Sequence, residues 1–318
     1  MTNEQSWPRV AVAGAGAVGC YFGGMLARAG APVVLIGRAP MAEAVRRGGL
    51  FLDCTGFQER VRVETATELR AAQGAELVLF CVKTLDIETA ARDLKPHLAP
   101  GATVISMQNG VDNVERMKTA GVEGLPAAVY VAAAIPGPGH IKHSGRGDLV
   151  IGPRNSRTEW VAGLFERASI PCRISDNIEG ELWTKLIWNC AGNAISALAG
   201  VTYGVIAANE EARRVIAAVV HETLAVARAA GIRPAGLDDP EAAMAGALKL
   251  LSQQMAAATS STAQDLARGK KTEIDSLNGY VARLGAVLGV PTPVNHTLYA
   301  LVKLTENRLQ ADAAPGGR

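Results

Sequence analysis

The chain has 318 residues, of which 48% are hydrophobic and 19% charged, and its net charge is +2. That length predicts two domains of roughly 150 residues each, and that composition excludes a mainly disordered chain. A near-neutral charge and only 4% aromatic residues leave no footprint for nucleic acid or an acidic membrane surface as partner.

The first residues, Met1 to Pro8, lack a basic stretch followed by an apolar run, so no signal peptide is expected. The five cysteines (Cys20, Cys54, Cys81, Cys172, Cys190) are odd in number and form no C-x-x-C pair. Reduced, mostly buried thiols in a cytoplasmic protein are the expectation. Val10 to Ile36 is apolar enough to resemble a membrane span, but it holds six glycines, Arg28 and Pro32. A strand, a glycine turn and a small-residue helix fit it better.

Arg9 to Ala13 is β-branched and apolar and reads as a buried strand. Gly14-Ala15-Gly16-Ala17-Val18-Gly19 follows as G-x-G-x-x-G. A helical run closed by Gly30 comes next, then a second strand from Pro32 to Ile36. This is the βαβ context that a dinucleotide fingerprint requires. Gly14 allows the tight turn, Gly16 lets a pyrophosphate reach the backbone, and Gly19 lets helix and strand pack closely. The helix N-terminus offers free N–H groups and partial positive charge.

An NAD binder usually places Asp or Glu at the end of the second strand, for the ribose 2′-hydroxyl. Here the place reads Gly37-Arg38, with no acid between Gly19 and Glu43. Arg38 suits a 2′-phosphate, so NADP is expected over NAD.

Glu76 to Val82 and Ala102 to Met107 read as further parallel strands. Lys83-Thr84 and Gln108-Asn109-Gly110 stand at their carboxyl ends, where ligands lie in open α/β sheets. A snorkelling side chain is the bland alternative for Lys83. Val111 to Lys118 looks like a short helix. Ala127 to Ala134 and Asp148 to Gly152 look like strands joined by the turn-rich stretch Pro136 to Gly147. His140 and His143 fall in that connection and read as exposed hairpin residues, with no metal site.

After Pro171 to Ile174 the strand pattern stops and long Ala/Leu-rich helical periodicity begins. The boundary is expected near Asp176, giving domains 1–176 and 177–318. Asp176-x-x-Glu179 resembles a capping box at the start of a helix. Further helices are expected over 206–230, 241–267, 272–288 (opened by Thr272 as N-cap) and 294–309. A disordered tail is expected from Gln310.

The first of these helices carries Lys185, Asn189 and Asn193 at steps of four. At about 100° per residue, the two asparagines lie about 40° and 80° round from Lys185. The three side chains form one polar stripe among Trp, Leu, Ile, Ala and Gly, and Ser196 returns to it. Gly192, beside the stripe, leaves room for something to approach. Such a stripe is either a solvated face or the lining of a site. A dinucleotide domain upstream, which needs a second wall for its cleft, favours the lining. Cys190 has no histidine at i±3 or i±4 and is not read as a nucleophile.

With these residues placed, the chain resembles the ketopantoate reductase (2-dehydropantoate 2-reductase) family over nearly its whole length. The resemblance rests on GAGAVG, Lys83 after a strand, Gln108-Asn109-Gly110, W-x-K-x-x-x-N-x-x-x-N, and Ser260-Ser261 ahead of Thr272-Glu273-Ile274-Asp275. It implies an α/β Rossmann domain followed by an all-α domain like the C-terminal one of 6-phosphogluconate dehydrogenases. NADPH and a 2-oxo acid would be the ligands, and coenzyme A precursor synthesis the setting. Position by position, Lys185 is similar to the family's catalytic lysine. Asn109, Asn189, Asn193 and Ser261 are similar to its substrate contacts. Lys83, Ala134, Glu273 and again Asn109 are similar to its cofactor-side residues. Glu273 would serve either Lys185 or the cofactor ribose.

One stretch departs from the enterobacterial pattern. Tyr203-Gly204-Val205-Ile206 stands where Asn-Gly-Glu-Leu is found and where the Asn contacts substrate. This leaves open which 2-oxo acid fits. The alternatives are a non-catalytic NADPH sensor and a related NAD-dependent β-hydroxyacid dehydrogenase, which predicts an acid in place of Arg38. The apolar C-terminal helices allow a homodimer without requiring one.

Overall fold

The structure is a computed structural model and describes residues 6–237 and 239–313. In chain order the first part runs β1 (Val10–Ala13), α1 (Ala17–Arg28), β2 (Val33–Ile36), α2 (Ala39–Gly48), β3 (Leu50–Cys54), β4 (Phe57–Val61), β5 (Glu64–Ala66), β6 (Leu77–Phe80), α3 (Ile87–Leu94), β7 (Thr103–Ser106), α4 (Asn113–Thr119), β8 (Gly124–Gly137), β9 (His140–Ile151), α5 (Ser156–Arg167) and β10 (Cys172–Ile174). The second part is helical: α6 (Ile178–Ala199), α7 (Tyr203–Ala208), α8 (Glu210–Ala229), α9 (Pro240–Lys249), α10 (Ser261–Ala267), α11 (Asn278–Leu288) and α12 (Pro293–Ala313).

Six strands lie parallel in the order β5-β2-β1-β6-β7-β8. The four residues of β1, and those of β2, β6 and β7, are all buried, as expected of strands covered by helices on both faces. β8 then turns back antiparallel onto β9, which carries β3 and β10 in parallel, and β3 pairs with β4 as a hairpin. One core, including Phe22, Leu26 and Phe165, covers one face of the sheet. Another, including Phe80, Ile87 and Leu94, covers the other. This is the expected Rossmann-type architecture, extended at one edge.

The chain divides into two compact units. One holds the residues up to Gln108 together with Asp112–Ile178; the other holds Asn109–Val111 and the residues from Glu179 onward. Three residues of the β7–α4 connection thus belong with the helices. In the helical unit α6 is central. Trp183, Leu186, Cys190 and Ala194 enter one apolar cluster, and Ile187 and Ala191 enter a second. Of the polar stripe, Lys185 and Asn189 stay half-buried, while Asn193 and Ser196 are buried. Truncating Trp183, 1% exposed, to alanine would cost about 3–5 kcal/mol.

Several expectations are corrected. His140 and His143 lie within β9, not in a connection. His140 pairs with Asp53 at 3.4 Å, and the His143 ring stacks on Tyr21 with centroids 4.3 Å apart. The helix after the boundary starts at Ile178, and the Asp176 carboxylate instead accepts from the backbone N–H of Arg154.

The expected helix over 206–230 is two helices, split at Asn209, whose side chain caps α8 through the N–H of Ala212. The one over 241–267 is broken by a π turn at Leu250–Gln254 and restarts at Ser261. Thr272 opens no α-helix: a 3₁₀ turn, Ile274–Ser276, intervenes before α11. The last helix runs on to Ala313, so 310–313 of the expected disordered tail are helical, and 314–318 lie outside the described residues.

Candidate active site

The glycine turn follows β1 directly. The N–H groups of Gly14 and Ala15 both donate to the Ile36 carbonyl, at 3.0 and 2.9 Å, which ties the turn to the end of β2. Gly14 has φ +112°, and a Cβ there would lie 2.6 Å from the Cys81 carbonyl carbon. A Cβ on Gly19 would strike the Gly14 carbonyl oxygen. Gly16 is different: a Cβ there would meet nothing within 4 Å. Gly14 and Gly19 are therefore needed by the protein itself, while Gly16 has open space beside its backbone.

Gly16 is the N-cap of α1, with no side-chain cap and no acid in the first turn. The N–H groups of that turn have no acceptor within the helix. Together the open backbone, the N–H groups and the helix dipole fit a pyrophosphate.

Other cofactor-side candidates belong to the same unit. Arg38, exposed, follows the end of β2 and caps α2 by its backbone. Lys83, exposed, follows β6 and precedes a 3₁₀ turn, Thr84–Asp86. Since β2, β1 and β6 are parallel neighbours, Arg38, Gly14–Gly19 (with Ala15, Ala17 and Val18) and Lys83 share one end of the sheet. Ala134 lies farther along β8, half-buried and opposite Lys142.

The helical unit collects the remaining candidates. Lys185 and Asn189 are half-buried on α6, and Asn193, two turns on from Lys185, is buried. At 1.5 Å per residue, Lys185 and Asn193 are about 12 Å apart along the axis. Asn193 is held twice. Its side-chain oxygen accepts from the Tyr203 hydroxyl at 2.7 Å, and its backbone carbonyl accepts from the Ser260 hydroxyl at 2.9 Å. Ser260 also caps α10 through the N–H of Ala263, and its own N–H donates to the Ser196 hydroxyl oxygen. Ser261 is the exposed first residue of α10, so these bonds carry it beside Asn193. Asn109 donates from Nδ2 to Glu273 Oε2 at 3.2 Å.

Two readings of the stripe change. Gly192 does not leave an opening: a Cβ there would lie 2.9 Å from both the Tyr203 ring and Leu251. The glycine is what lets Tyr203 pack against α6. Ser196 is a structural joint, donating to the Val201 carbonyl at 2.8 Å while accepting from Ser260.

Tyr203 is 6% exposed, and burial raises its hydroxyl well above the usual phenol range. It therefore stays a neutral donor. Burial likewise raises the thiol of Cys190, which keeps it protonated and unreactive. Sequence reasoning named Ser260 only within the resemblance and did not find it as the anchor of Asn193, Tyr203 as the partner of Asn193, or Glu306, whose carboxylate accepts from the Thr272 N–H. A Ser three residues before Ala263 at a helix start was the one local signal available.

Two family models match in succession: "Ketopantoate reductase PanE/ApbA" over residues 10–156 and "Ketopantoate reductase PanE/ApbA C terminal" over residues 177–306. A 2-dehydropantoate 2-reductase of Pyrococcus abyssi is 32% identical, over 93% of this chain and 97% of its own. The chain belongs to the ketopantoate reductase family.

Among solved structures, a PanE/ApbA family ketopantoate reductase from Ralstonia eutropha is 47% identical, with a TM-score of 0.89 over 95% of this chain and 99% of its own. D-mandelate dehydrogenase, solved with NADH and anilino(oxo)acetate, is 23% identical, with a TM-score of 0.88 over 95% of this chain and 99% of its own. At that identity the likeness is one of fold alone. No described helix is long and apolar enough to cross a membrane.

Proposed function

We propose that this protein is an NADPH-dependent oxidoreductase that reduces 2-dehydropantoate to pantoate, a step towards pantothenate. The observation that carries this reading is the α6 stripe. A half-buried lysine and two asparagines lie on one line of an otherwise apolar helix, and the buried asparagine is fixed by a tyrosine. Family membership supplies the reaction.

NADPH, when bound, supplies the hydride that reaches the keto carbon. Gly14 to Gly19 hold the pyrophosphate through the first-turn N–H groups of α1. Arg38 holds the 2′-phosphate by charge-assisted hydrogen bonds, and Lys83 adds positive charge at the same end of the sheet. Ala134, on β8, stands on the cofactor side as a backbone and packing contact.

The keto oxygen gains negative charge as the carbonyl is reduced. Lys185, as an ammonium, donates a hydrogen bond to that oxygen and passes it a proton, so hydride and proton together complete the alcohol. Asn189 and Ser261 hold the carboxylate end of the substrate. Asn193 offers its N–H donors, because the bond from Tyr203 to its oxygen fixes which way the amide points. Asn109 and Glu273 act as a pair: the amide fixes one carboxylate oxygen, and the carboxylate serves Lys185 or the ribose.

Tyr203 favours a second reading of the substrate. Its hydroxyl hydrogen is committed to Asn193 and its ring fills the space beside Gly192. A 2-oxo acid lacking the distal hydroxyl of 2-dehydropantoate would then fit the same site. The test is NADPH consumption by the purified protein with 2-dehydropantoate, its deoxy counterpart 3,3-dimethyl-2-oxobutanoate, pyruvate and phenylglyoxylate. Preference for 2-dehydropantoate supports the main reading, and preference for the deoxy acid the second. Turnover of none, with NADPH bound, would return the protein to a sensing role.

A further inference from the structure

Glu273 sits in a segment with little regular structure of its own, between the end of α10 and a single 3₁₀ turn. Its neighbours on both sides are nonetheless gripped by one helix, α12. On one side, the Glu306 carboxylate accepts from the backbone N–H of Thr272 at 2.7 Å and from its hydroxyl at 2.5 Å. On the other, the Asp275 carboxylate accepts from the Tyr299 hydroxyl at 2.7 Å and from Lys303 Nζ at 3.0 Å.

Lys303 also lies 2.8 Å from Glu306, so the two grips form one network. The Thr272 hydroxyl oxygen accepts from the N–H of Ile274 at 3.2 Å, which closes the turn across Glu273 itself. Arg283, on α11, adds a 2.7 Å bond to the Asp275 carbonyl.

The Glu306 side chain is only 2% exposed. A carboxylate so placed loses its hydration, and an apolar contact between α12 and the segment would hold the two together without that cost. What the carboxylate adds is direction: two donors of Thr272 meet it and fix where that residue stands, and Lys303 carries the constraint to Asp275.

We propose that Glu306 is a positioning residue for the reaction, setting the place of the Glu273 carboxylate through Thr272 and, by way of Lys303, through Asp275. This rests on the reading of Glu273 as a site residue. Glu306 itself touches neither substrate nor cofactor. Its effect passes through Glu273, and its loss matters only while Glu273 has a carboxylate to place.

The experiment is a double-mutant cycle of Glu306→Gln and Glu273→Gln in the full-length protein, read as kcat and KM for both substrates, with thermal unfolding of each variant alongside. The expected result is a fall of about tenfold in kcat/KM for Glu306→Gln in the wild-type background, and a change under twofold in the Glu273→Gln background. Equal losses in the two backgrounds would overturn the proposal, since Glu306 would then act independently of Glu273. No loss in the wild-type background would also overturn it.

Wild-type kinetics for Glu273→Gln alone would instead remove the reading of Glu273, and the proposal with it. Should Glu306→Gln fail to fold, Thr272→Val enters the same cycle, because it removes the hydroxyl while keeping the shape and the backbone bond. Thr272→Ser, which restores the hydroxyl, should then recover activity. A Thr272→Val loss of the same size in both Glu273 backgrounds, or one that serine does not rescue, would count against the proposal.

Discussion

The hydroxyl of Tyr203 donates a 2.7 Å hydrogen bond to the side-chain oxygen of Asn193. The two residues are ten positions apart, on α6 and α7, and both are buried. The bond fixes the rotation of the Asn193 amide and so the direction of its N–H groups. Tyr203→Phe keeps the ring against Gly192 but strands the Asn193 oxygen. That should cost about 1–3 kcal/mol of stability. It should also raise KM for the 2-oxo acid several-fold, with a smaller change in kcat. Chemical denaturation and steady-state kinetics on the same preparation check both parts, and an unchanged KM would separate Tyr203 from substrate binding.

The glycines of the first turn should separate folding from binding. Gly16→Val places a side chain where a Cβ meets nothing within 4 Å, at an N-cap φ of −83° that any residue adopts. Its stability should stay within about 0.5 kcal/mol of wild type, while NADPH affinity falls tenfold or more. Gly14→Ala should do the reverse of sparing the fold, because φ +112° and the Cys81 carbonyl both oppose a Cβ. Calorimetric titration with NADPH and thermal unfolding of the two variants make the comparison. Full NADPH affinity in Gly16→Val would remove the phosphate site from this turn.

Arg38 is exposed at the start of α2, so Arg38→Ala should leave stability unchanged. If it meets the 2′-phosphate, the variant loses about 10–100-fold in kcat/KM for NADPH, equivalent to about 1.4–3 kcal/mol. It should lose little for NADH. Comparable losses with the two cofactors would contradict the assignment.

The network behind Glu273 has a definite pH signature. Burial by itself would raise the Asp275 carboxyl, but bonds from Tyr299 and Lys303 bring it below the ordinary carboxylate range. Burial by itself would lower Lys303, but Glu306 and Asp275 raise it. The Asp275 contribution is full above its unfolded pKa and is lost as pH falls through the depressed folded value. The Lys303 contribution is full below its unfolded pKa and is lost as pH rises through the raised folded value. The network's share of the stability should therefore be flat through neutrality and fall below about pH 4 and above about pH 10. Lys303→Met should move the acid limb to higher pH, which urea midpoints across a pH series would show.

Much of the first unit was legible because its signals are local. An apolar run, three spaced glycines and a second apolar run identify β1, α1 and β2 without any distant contact. The α6 stripe was legible for the same reason: Lys185, Asn189 and Asn193 obey one helical period. The β3–β4 hairpin was not seen, because Phe57 to Val61 is mostly exposed at a sheet edge and carries little apolar alternation.

The fate of Gly192 was invisible for a different reason. A missing side chain reads the same whether it admits a ligand or a tyrosine from the next helix. Glu306 was missed because its partner, Thr272, is 34 residues away, and one glutamate on a long helix has no pattern of its own.

The central claim is that the α6 stripe does the chemistry, with Lys185 as proton donor. The most direct measurement is single-turnover reduction of 2-dehydropantoate by wild type and Lys185→Ala, each saturated with NADPH, followed by loss of nicotinamide absorbance. The account predicts that Lys185→Ala binds NADPH as wild type does and reduces the substrate at least a hundredfold more slowly, the loss expected of a proton donor that also stabilises developing charge. Reduction at the wild-type rate by Lys185→Ala would contradict it.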